Sequence, residues 1–256
     1  MTTPESVPAL SAQDIRKSFG EKEILRGISL DVHRGEHIAI IGPSGSGKST
    51  FIRCLNLLEV PDGGTVHLNG NRVFDASTKG SVTSVRDLRK RVGMVFQSFN
   101  LFATHTALEN VSLAQRLSLG RSKDEATARS KELLERVGLK DHMHKHPGQL
   151  SGGQQQRVAI ARSLAMDPEV ILFDEPTSAI DPEMRVEVLK VMKELAEGGM
   201  TMIMVTHEIE FAKEAADRVM FLADGEVLEM GPSEQILTDP ENDRIRRFVN
   251  ALNGVI

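Results

Sequence analysis

The chain has 256 residues, of which 40% are hydrophobic and 26% are charged, and its formal net charge is −5. This length can bury a substantial core in one large domain or in two small ones. The acidic balance excludes a global electrostatic attraction to nucleic acid or to an anionic membrane surface. The single cysteine, Cys54, excludes an internal disulfide and favours a reducing compartment, so we interpret it as a small packing residue.

The N-terminal segment 1–8 contains two prolines and few apolar residues, and we expect it to be a flexible tail. It lacks the basic start and the apolar stretch of a signal peptide. No apolar run elsewhere approaches the ~18 residues needed to cross a bilayer. These features predict a cytosolic protein that reaches a membrane only through a partner.

Residues 11–75 have the composition of short strands separated by turns. The turns are predicted at Gly20, Gly27, Gly35 and 62–64, where glycine supplies the required backbone freedom. The first part of the chain is therefore predicted to be rich in β-structure.

A glycine-rich segment, Gly42-Pro-Ser-Gly-Ser-Gly-Lys-Ser49, lies between the apolar run 38–41 and a helix predicted to continue from Thr50. Its glycines let successive backbone N–H groups surround one anion, and the following helix adds its positive N-terminal end. In this pattern Lys48 reaches the β- and γ-phosphates and the Ser49 hydroxyl binds Mg²⁺. The alternative is a glycine-rich turn without a ligand. The register of strand, lysine and serine favours a nucleotide-binding loop.

Gln97 follows the apolar segment 91–96, at the end of another predicted strand. Its amide could bind Mg²⁺ or orient a water molecule, and could release them if the segment moves. A purely structural amide is an equally good interpretation of this position alone. The chain from about residue 100 to 165 is then mostly helical, and one helix there opens with a capping box formed by Ser122 and Glu125.

The segment Leu150-Ser-Gly-Gly-Gln154 directly precedes an apolar-periodic helix. A serine hydroxyl, two glycine N–H groups and a helix N-terminus form a second site suited to an anion. One nucleotide does not need two such sites from one chain. Two chains packed head to tail would each supply one half and would enclose two ATP molecules.

Polar side chains also follow two buried strands in the last third of the chain. Asp174 and Glu175 come directly after the strand 170–173, and His207 follows the strand 201–206. Strand ends of a parallel sheet face the ligand crevice, so Asp174 is placed to hold Mg²⁺ and Glu175 to polarise the attacking water. His207 can contact a γ-phosphate and help to orient that water. The alternatives are a solvated acidic turn and a structural histidine.

Strands and helices alternate after residue 165, which is typical of a parallel sheet with helical crossovers. A helix is predicted to begin at Asp181-Pro182 and to end at 198–199. Asp224-Gly225 lies between two apolar segments and predicts a hairpin. The fold class predicted is therefore α/β.

The order of these motifs resembles that of the ATPase subunits of ATP-binding-cassette transporters, over almost the whole chain. The pentapeptide 150–154 is highly specific to that family, and Ser178-Ala-Ile-Asp181 and Val205-Thr-His-Glu208 follow in the family's order. The resemblance implies a P-loop NTPase fold, with a RecA-like core around a parallel sheet, an N-terminal antiparallel β subdomain and an inserted helical subdomain. It implies one ATPase domain at 9–256, in which the helical subdomain occupies about 100–165, and it implies ATP and Mg²⁺ as cofactors.

The family's functional positions can be carried onto this chain residue by residue. The catalytic positions fall on Glu175, His207 and Gln97, and the metal-binding positions fall on Ser49, Gln97 and Asp174. Phe19 lies where the family places an aromatic ring against adenine, with a core phenylalanine as the alternative. The nucleotide-binding positions are Phe19, Gly42, Pro43, Ser44, Gly45, Ser46, Gly47, Lys48, Ser49, Thr50, Ser151, Gly152, Gly153 and Gln154.

The resemblance also implies partners. It implies an ATP-bound head-to-tail homodimer whose closure drives an integral membrane permease from the cytoplasmic face of the membrane, and an indirect link to a solute-binding protein outside. The segment 97–102 would contact the permease. Within the family, the segments 94–102, 107–111, 154–157 and 211–219 look most like those of importers of polar amino acids.

Three other functions remain as alternatives. These are a non-transport cassette ATPase that clamps DNA or acts on ribosomes, a cassette serving an importer of another small solute, and a cassette serving an exporter. The DNA-clamping kind carries long coiled-coil insertions that do not fit in 256 residues. A nucleic-acid groove is not predicted from the small basic patch formed by Arg86, Arg89, Lys90 and Arg91.

Overall fold

The computed structural model describes residues 7–78, 80–81 and 83–252. Its strands are β1 (Leu10–Phe19), β2 (Lys22–Val32), β3 (His37–Ile41), β4 (Gly63–Leu68), β5 (Asn71–Asp75), β6 (Gly80–Ser81), β7 (Val92–Val95), β8 (Val170–Asp174), β9 (Thr201–Val205), β10 (Arg218–Ala223) and β11 (Glu226–Pro232). Its α-helices are α1 (Lys48–Leu55), α2 (Val85–Arg91), α3 (Ala107–Ser118), α4 (Lys123–Arg136), α5 (Gly152–Leu164), α6 (Pro182–Glu197), α7 (Ile209–Ala215), α8 (Ser233–Thr238) and α9 (Asp243–Leu252). Residues 1–6 of the predicted flexible tail lie outside the described residues.

The described chain divides into two compact units. The first contains the residues up to Arg89 and those from Gly199 onward, and the second contains Lys90–Gly198. The second unit therefore includes the predicted helical segment 100–165, which holds α3, α4 and α5. The subdomain boundaries inferred from the resemblance stay a prediction.

The first unit contains an antiparallel sheet with the strand order β2-β1-β4-β5-β6. Leu10 of β1 pairs with Val32 on one side and with Leu68 on the other, and all three side chains are buried. Residues 11–75 are rich in strands, as predicted, but β1 and β2 are 10 and 11 residues long, so these two strands are not short. The predicted turn at 62–64 is partly wrong, because β4 begins at Gly63. The predicted turn at Gly27 is wrong, because Gly27 lies inside β2 and takes a φ of 98° where the pairing of β1 with β2 shifts register. Glycine here forms an irregularity within a strand, a role that a local pattern does not distinguish from a turn.

The first unit also contains parallel strands. β3 pairs in parallel with β10 on one side and β9 on the other, and β11 pairs antiparallel with β10. The apolar residues of β3 and β9 are fully buried, as expected for parallel strands covered on both faces. The hairpin predicted at Asp224-Gly225 is confirmed. Asp224 and Gly225 have positive φ angles of 52° and 81°, as required in the type I′ turn of a hairpin with a two-residue loop.

In the second unit β7 pairs in parallel with β8, and α3, α4 and α5 pack against one another. The predicted capping box is confirmed: Ser122 Oγ accepts from the backbone N–H of Glu125, and a carboxylate oxygen of Glu125 accepts from the N–H of Ser122 at 2.8 Å. The Ser122 hydroxyl also donates to the Glu125 carboxylate at 2.7 Å, and this bond, followed by the one from the Ser122 N–H, lowers the pKa of Glu125. A second box of the same type, Thr106 with Glu109, starts α3. In each box, side chains of the same segment accept hydrogen bonds from backbone N–H groups at the start of the helix.

Cys54 lies on the buried face of α1 and exposes none of its surface. Burial raises the pKa of its thiol to about 12, so the side chain stays protonated and unreactive at neutral pH. The interpretation as a packing residue is confirmed. Among the residues that the structure describes, no helix has the length and apolar character needed to cross a membrane.

Two arginines of the basic patch, Arg89 and Arg91, form hydrogen bonds within the protein. Arg89 donates to the carbonyl oxygens of Asn56 and Leu57 at 3.3 and 2.7 Å, within the first unit. Arg91 donates to a carboxylate oxygen of Glu169 at 2.5 Å, within the second unit. Arg89 therefore contacts the backbone that follows α1, and Arg91 contacts the residue that precedes β8.

Candidate active site

The glycine-rich loop joins β3 to α1 and is shaped by three glycines with positive φ. Gly42 has a φ of 142°, Gly45 of 77° and Gly47 of 103°. A Cβ atom at Gly42 would lie 2.0 Å from the carbonyl oxygen of Leu222, and one at Gly47 would lie 2.7 Å from a methyl carbon of Leu25. A Cβ at Gly45 would meet nothing within 4 Å. The loop therefore packs tightly against β10 and β2 on its inner side and is open at Gly45.

The helix α1 begins without a side-chain cap. Its N-cap is Gly47, whose carbonyl oxygen accepts the first intrahelical hydrogen bond, from the N–H of Phe51 at 2.8 Å. The N–H groups of a first helical turn, here those of Lys48, Ser49 and Thr50, have no acceptor inside the helix. An uncapped N-terminus of this kind favours an anion.

Two side chains of the loop fit such an anion. Lys48 is almost fully buried, and its Nζ donates to the carbonyl oxygens of Gly42 and Pro43 at 2.8 and 3.0 Å, which holds the ammonium group at the loop. The hydroxyl oxygen of Ser46 is buried and has no hydrogen-bond partner among the described residues. Because an unpaired buried hydroxyl is costly, this atom is suited to a ligand that enters the loop. The residues present therefore fit a bound polyphosphate.

His207 lies at the same end of the first unit's parallel strands as the loop. Ile40 of β3 is paired with Val205 of β9, and Gly42 and His207 each come two residues later. His207 is half-buried, and the hydroxyl oxygen of Thr206 accepts from the N–H of Glu208 at 3.0 Å, which fixes the turn around it. The structure thus brings His207 to the edge of the sheet from which the loop starts.

Phe19 is not a core residue. It ends β1 with 49% of its surface exposed, which excludes the core alternative. The ammonium of Lys17 lies 5.3 Å from the ring centroid, a cation–π distance. An exposed ring in this position can stack on a planar ligand.

In the second unit, Gln97 and Glu175 lie at the same end of the strand pair. Val95 of β7 is paired with Phe173 of β8, and Gln97 and Glu175 each come two residues later. The side chain of Gln97 is exposed, whereas Asp174 exposes 1% of its surface. Glu175 takes a φ of 48°, which is strained for a residue with a side chain.

The strained turn at Glu175 is held by Ser178. The hydroxyl of Ser178 donates to a carboxylate oxygen of Glu175 at 3.0 Å, and its N–H donates to the carbonyl oxygen of Glu175 at 3.2 Å. Both bonds close the turn that follows β8. The carboxylate is therefore held in one orientation at the end of the strand.

The pentapeptide 150–154 forms the start of α5, as predicted. Ser151 is the N-cap, its hydroxyl accepts from the N–H of Gln154 at 3.3 Å, and the amide oxygen of Gln154 accepts from the N–H of Ser151 at 3.1 Å. This capping box was not predicted, although the spacing of serine and glutamine carries its signal. A Cβ at Gly153 would lie 2.9 Å from that of Met184, so only glycine allows α6 to approach here. A Cβ at Gly152 would lie 3.5 Å from Cζ of the Phe99 ring.

The oxygen donors proposed for Mg²⁺ are of the right chemical type. Ser49, Gln97 and Asp174 offer a hydroxyl, an amide oxygen and a carboxylate, and Mg²⁺ prefers such hard oxygen ligands together with water and phosphate oxygens. Across 7–78, 80–81 and 83–252, no group of three or more histidine, cysteine or acidic side chains is gathered as a separate metal site. A magnesium ion held partly by a nucleotide is consistent with this donor set.

Sequence reasoning missed two polar side chains of α5 that touch the backbone near Gln97. Gln156 exposes none of its surface and donates to the carbonyl oxygen of Phe96, and Arg162 donates to the carbonyl oxygens of Phe99 and Asn100. The sequence signal that could have found Gln156 is its spacing from Ala159 and Ile160, which places a polar residue on the apolar face of the predicted helix.

Comparison with known proteins identifies the family of this fold and site. Residues 25–178 match the ABC transporter family. The chain is 51% identical over 243 residues to the L-cystine import ATP-binding protein TcyC of Bacillus subtilis, covering 95% of this chain and 98% of that protein. It is 49% identical to the arginine transport ATP-binding protein ArtM of the same organism, covering 95% of this chain and 99% of that protein.

A solved structure is also similar. The dimeric structure of the ATP-binding cassette MJ0796, in a post-hydrolysis state bound to ADP and phosphate, superposes with a TM-score of 0.77 at 36% identity, covering 88% of this chain and 98% of that one. The fold, the phosphate loop and the relatives lead to the same assignment. The chain belongs to the ABC transporter family and has the P-loop NTPase fold of its ATP-binding cassettes.

Proposed function

We propose that this chain is the ATP-hydrolysing subunit of an importer for polar amino acids. The observation that carries the proposal is its similarity, at 47–51% identity over about 95% of its length, to ATP-binding proteins of cystine, arginine and glutamine transport. The phosphate loop independently supports the ATP-binding part of the proposal, because its open face and uncapped helix are suited to a nucleotide. An importer of another small solute is the nearest alternative.

In this proposal the phosphate loop 42–50 binds the phosphates of ATP. The ammonium of Lys48 neutralises the β- and γ-phosphates, and the first-turn N–H groups of α1 donate to them. Ser49, Gln97 and Asp174 hold Mg²⁺, which neutralises charge on the β- and γ-phosphates when it is bound. Phe19 stacks on the adenine, a contact worth ~1–3 kcal/mol by analogy with bases on aromatic side chains.

Glu175 is proposed as the general base. Its carboxylate accepts a proton from the attacking water, and the bonds from Ser178 keep it in one orientation. His207 contacts the γ-phosphate and Gln97 helps to orient the water. A buried metal ligand at Asp174, followed by a half-buried base with a strained backbone at Glu175, is an arrangement suited to hydrolysis.

The second anion site is proposed to act across a homodimer. Ser151, Gly152, Gly153 and Gln154 of one chain contact the γ-phosphate bound by the other chain, so that ATP closes a head-to-tail dimer and hydrolysis opens it. The dimer lies at the cytoplasmic face of the membrane, and its closure drives the permease subunits between inward- and outward-facing states. A solute-binding protein delivers the solute on the other side. A single ATPase domain at 9–256 with a helical subdomain at about 100–165 carries these parts.

Co-purification tests the proposed function most directly. We expect the tagged chain, taken from gently solubilised native membranes, to recover an integral permease and a solute-binding protein, identified by mass spectrometry. Thermal shifts of that binding protein with amino acids would then identify the solute. Recovery of soluble or ribosomal proteins alone would contradict a role in transport.

A surface variant sharpens this test. Phe102 belongs to the segment proposed to contact the permease and is 50% exposed, so we expect Phe102→Asp to lose the permease. Leu228 on β11 is also a partly exposed apolar residue, at 36%, and Leu228→Asp should retain it. Equal recovery with both variants would remove the segment 97–102 from the proposed contact.

The head-to-tail arrangement predicts a pattern in mixed dimers. Ser151→Asp keeps an N-cap of α5, because aspartate is a good cap, but places a negative charge toward the γ-phosphate. Lys48→Met disables the phosphate loop of its own chain. When the two changes are on different chains, both affect the same site and the other site should still turn over. When they are on one chain, both sites should be lost.

Purified mixed dimers with two different tags allow this ATPase measurement. The opposite pattern, with turnover retained only when both changes are on one chain, would show that Ser151 serves its own chain's nucleotide. The matched control is Ser122→Asp, because Ser122 caps α4 in the same way and is given no role in binding ATP.

A further inference from the structure

The helix that starts at the pentapeptide 150–154 holds the backbone next to Gln97. Gln156 of α5 is fully buried, and its Nε2 donates to the carbonyl oxygen of Phe96 at 3.1 Å. Gln97 is the next residue along the chain. One side chain of α5 therefore restrains the peptide group from which the Gln97 side chain extends.

The amide of Gln156 is only half satisfied. Its Oε1 is buried and accepts no hydrogen bond within the described part of the chain. A buried acceptor without a donor lowers stability, and an apolar side chain of similar size avoids that cost. Folding alone therefore does not account for an amide at this position, whereas a need to hold Phe96 does.

Arg162 holds the other end of the same segment. Its Nη1 donates to the carbonyl oxygen of Asn100 at 2.6 Å and its Nη2 to that of Phe99 at 3.1 Å. Within the described residues it forms no ion pair, and burial lowers the pKa of its guanidinium. The planar guanidinium group of Arg162 thus donates to two backbone carbonyl oxygens instead of to a carboxylate.

Both ends of the glutamine segment, residues 96–100, are therefore attached to α5. Gln156 and Arg162 are six residues apart, which is about 9 Å along a helix. The Phe99 ring also lies near the start of α5, since a Cβ added at Gly152 would be 3.5 Å from its Cζ. If α5 moves as a rigid element, a displacement of its N-terminus would act on residues 96–100 through the bonds of Gln156 and Arg162.

We propose that Gln156 and Arg162 are positioning residues that couple the location of Gln97 to that of the pentapeptide 150–154. The inference rests on the proposed function, in which Gln97 acts on Mg²⁺ or the attacking water and the pentapeptide contacts ATP. Engagement of the γ-phosphate by the pentapeptide then sets Gln97 in its working position, and neither Gln156 nor Arg162 touches the nucleotide itself.

A double-mutant cycle tests whether Gln156 acts through Gln97. We expect Gln156→Met in the full chain to lower the turnover of Mg²⁺-ATP by about 10- to 100-fold, the effect of a misplaced catalytic group. The KM for ATP and the thermal midpoint should stay close to those of the parent, because the phosphate loop is intact and an unpaired acceptor is removed. In the Gln97→Ala background the same change should cost no further activity.

Ser163→Ala is the matched control. Ser163 lies on α5, and among the described residues its buried hydroxyl has no hydrogen-bond partner, as is true of Gln156 Oε1, and it forms no bond to residues 96–100. This variant should keep the parent's turnover. Arg162→Met should behave like Gln156→Met, and Arg162→Lys should recover part of the turnover, because one ammonium can donate to at least one of the two carbonyls.

The outcomes separate this inference from the proposed function. Equal losses from Gln156→Met in both backgrounds, or normal turnover in Gln156→Met when Gln97→Ala is impaired, would overturn the positioning role. Normal turnover in Gln97→Ala would remove the role of Gln97 and the inference with it, while ATP hydrolysis itself would stand. A chain without any ATPase activity would instead contradict the proposed function.

Discussion

Glu175→Gln is expected to leave ATP binding intact and to reduce turnover by about 10²–10⁴, the usual contribution of a general base. Glutamine has the shape of glutamate, and its amide oxygen can still accept the hydroxyl of Ser178, which donates to Glu175 at 3.0 Å. The strained backbone with a φ of 48° is therefore retained. The change removes only the ability to accept a proton from water.

The measurement is single-turnover ATP hydrolysis together with equilibrium ATP binding. Glu194→Gln is the matched control, because Glu194 is an exposed glutamate on α6 of the same unit and its change removes the same charge. We expect the control to keep the parent's rate. Near-normal turnover in Glu175→Gln would mean that another group accepts the proton of the attacking water.

Lys48→Met is expected to weaken ATP binding by about 100-fold, which corresponds to the loss of charge-assisted hydrogen bonds worth about 3 kcal/mol. Methionine fills a similar volume along the chain of the lysine but has no ammonium group. Nζ now donates to Gly42 and Pro43, so the side chain already lies at the loop and needs little reorganisation to meet a phosphate. Removing it should therefore cost binding more than folding.

Titration with a fluorescent ATP analogue in the presence of Mg²⁺ measures the effect, and thermal unfolding checks that the fold is kept. Lys22→Met is the control, since Lys22 is an exposed lysine at the start of β2 in the same unit. Unchanged affinity in Lys48→Met would mean that the loop does not bind the phosphates. A large fall in thermal stability would instead show that Lys48 mainly supports the loop.

Local patterns predicted the elements that depend on neighbours in the sequence. The capping box of Ser122 with Glu125, the hairpin at Asp224-Gly225 and the start of α6 after Asp181 all have the predicted form. Each of these is decided within a few residues, by hydrogen bonds or dihedral angles that the residue types dictate. The wrong turn at Gly27 shows the limit, because glycine serves a bulge and a turn equally well.

The contacts that hold the candidate site together could not be predicted in this way. The sequence left two interpretations of Phe19, a ring that binds adenine and a ring in the core. Only the fold shows that the ring is exposed. It identified Gln97 but not Gln156, which lies 59 residues later and reaches Phe96 only when α5 packs beside the end of β7. Such pairings depend on tertiary packing, and the number of residues between two positions does not predict whether they come into contact.

By itself, the sequence determined the phosphate loop, the order of the motifs and the residue types that bind phosphate and metal, because each motif is a short segment whose chemistry is complete in its own side chains and backbone. Only the tertiary structure decided why Gly42 and Gly153 must be glycine, since the atoms a Cβ would meet belong to Leu222 and Met184 on other elements. It also decided which carbonyls Gln156 and Arg162 hold. The physical reason is that close packing brings together atoms distant in the chain, and that local propensity carries no information about their distance.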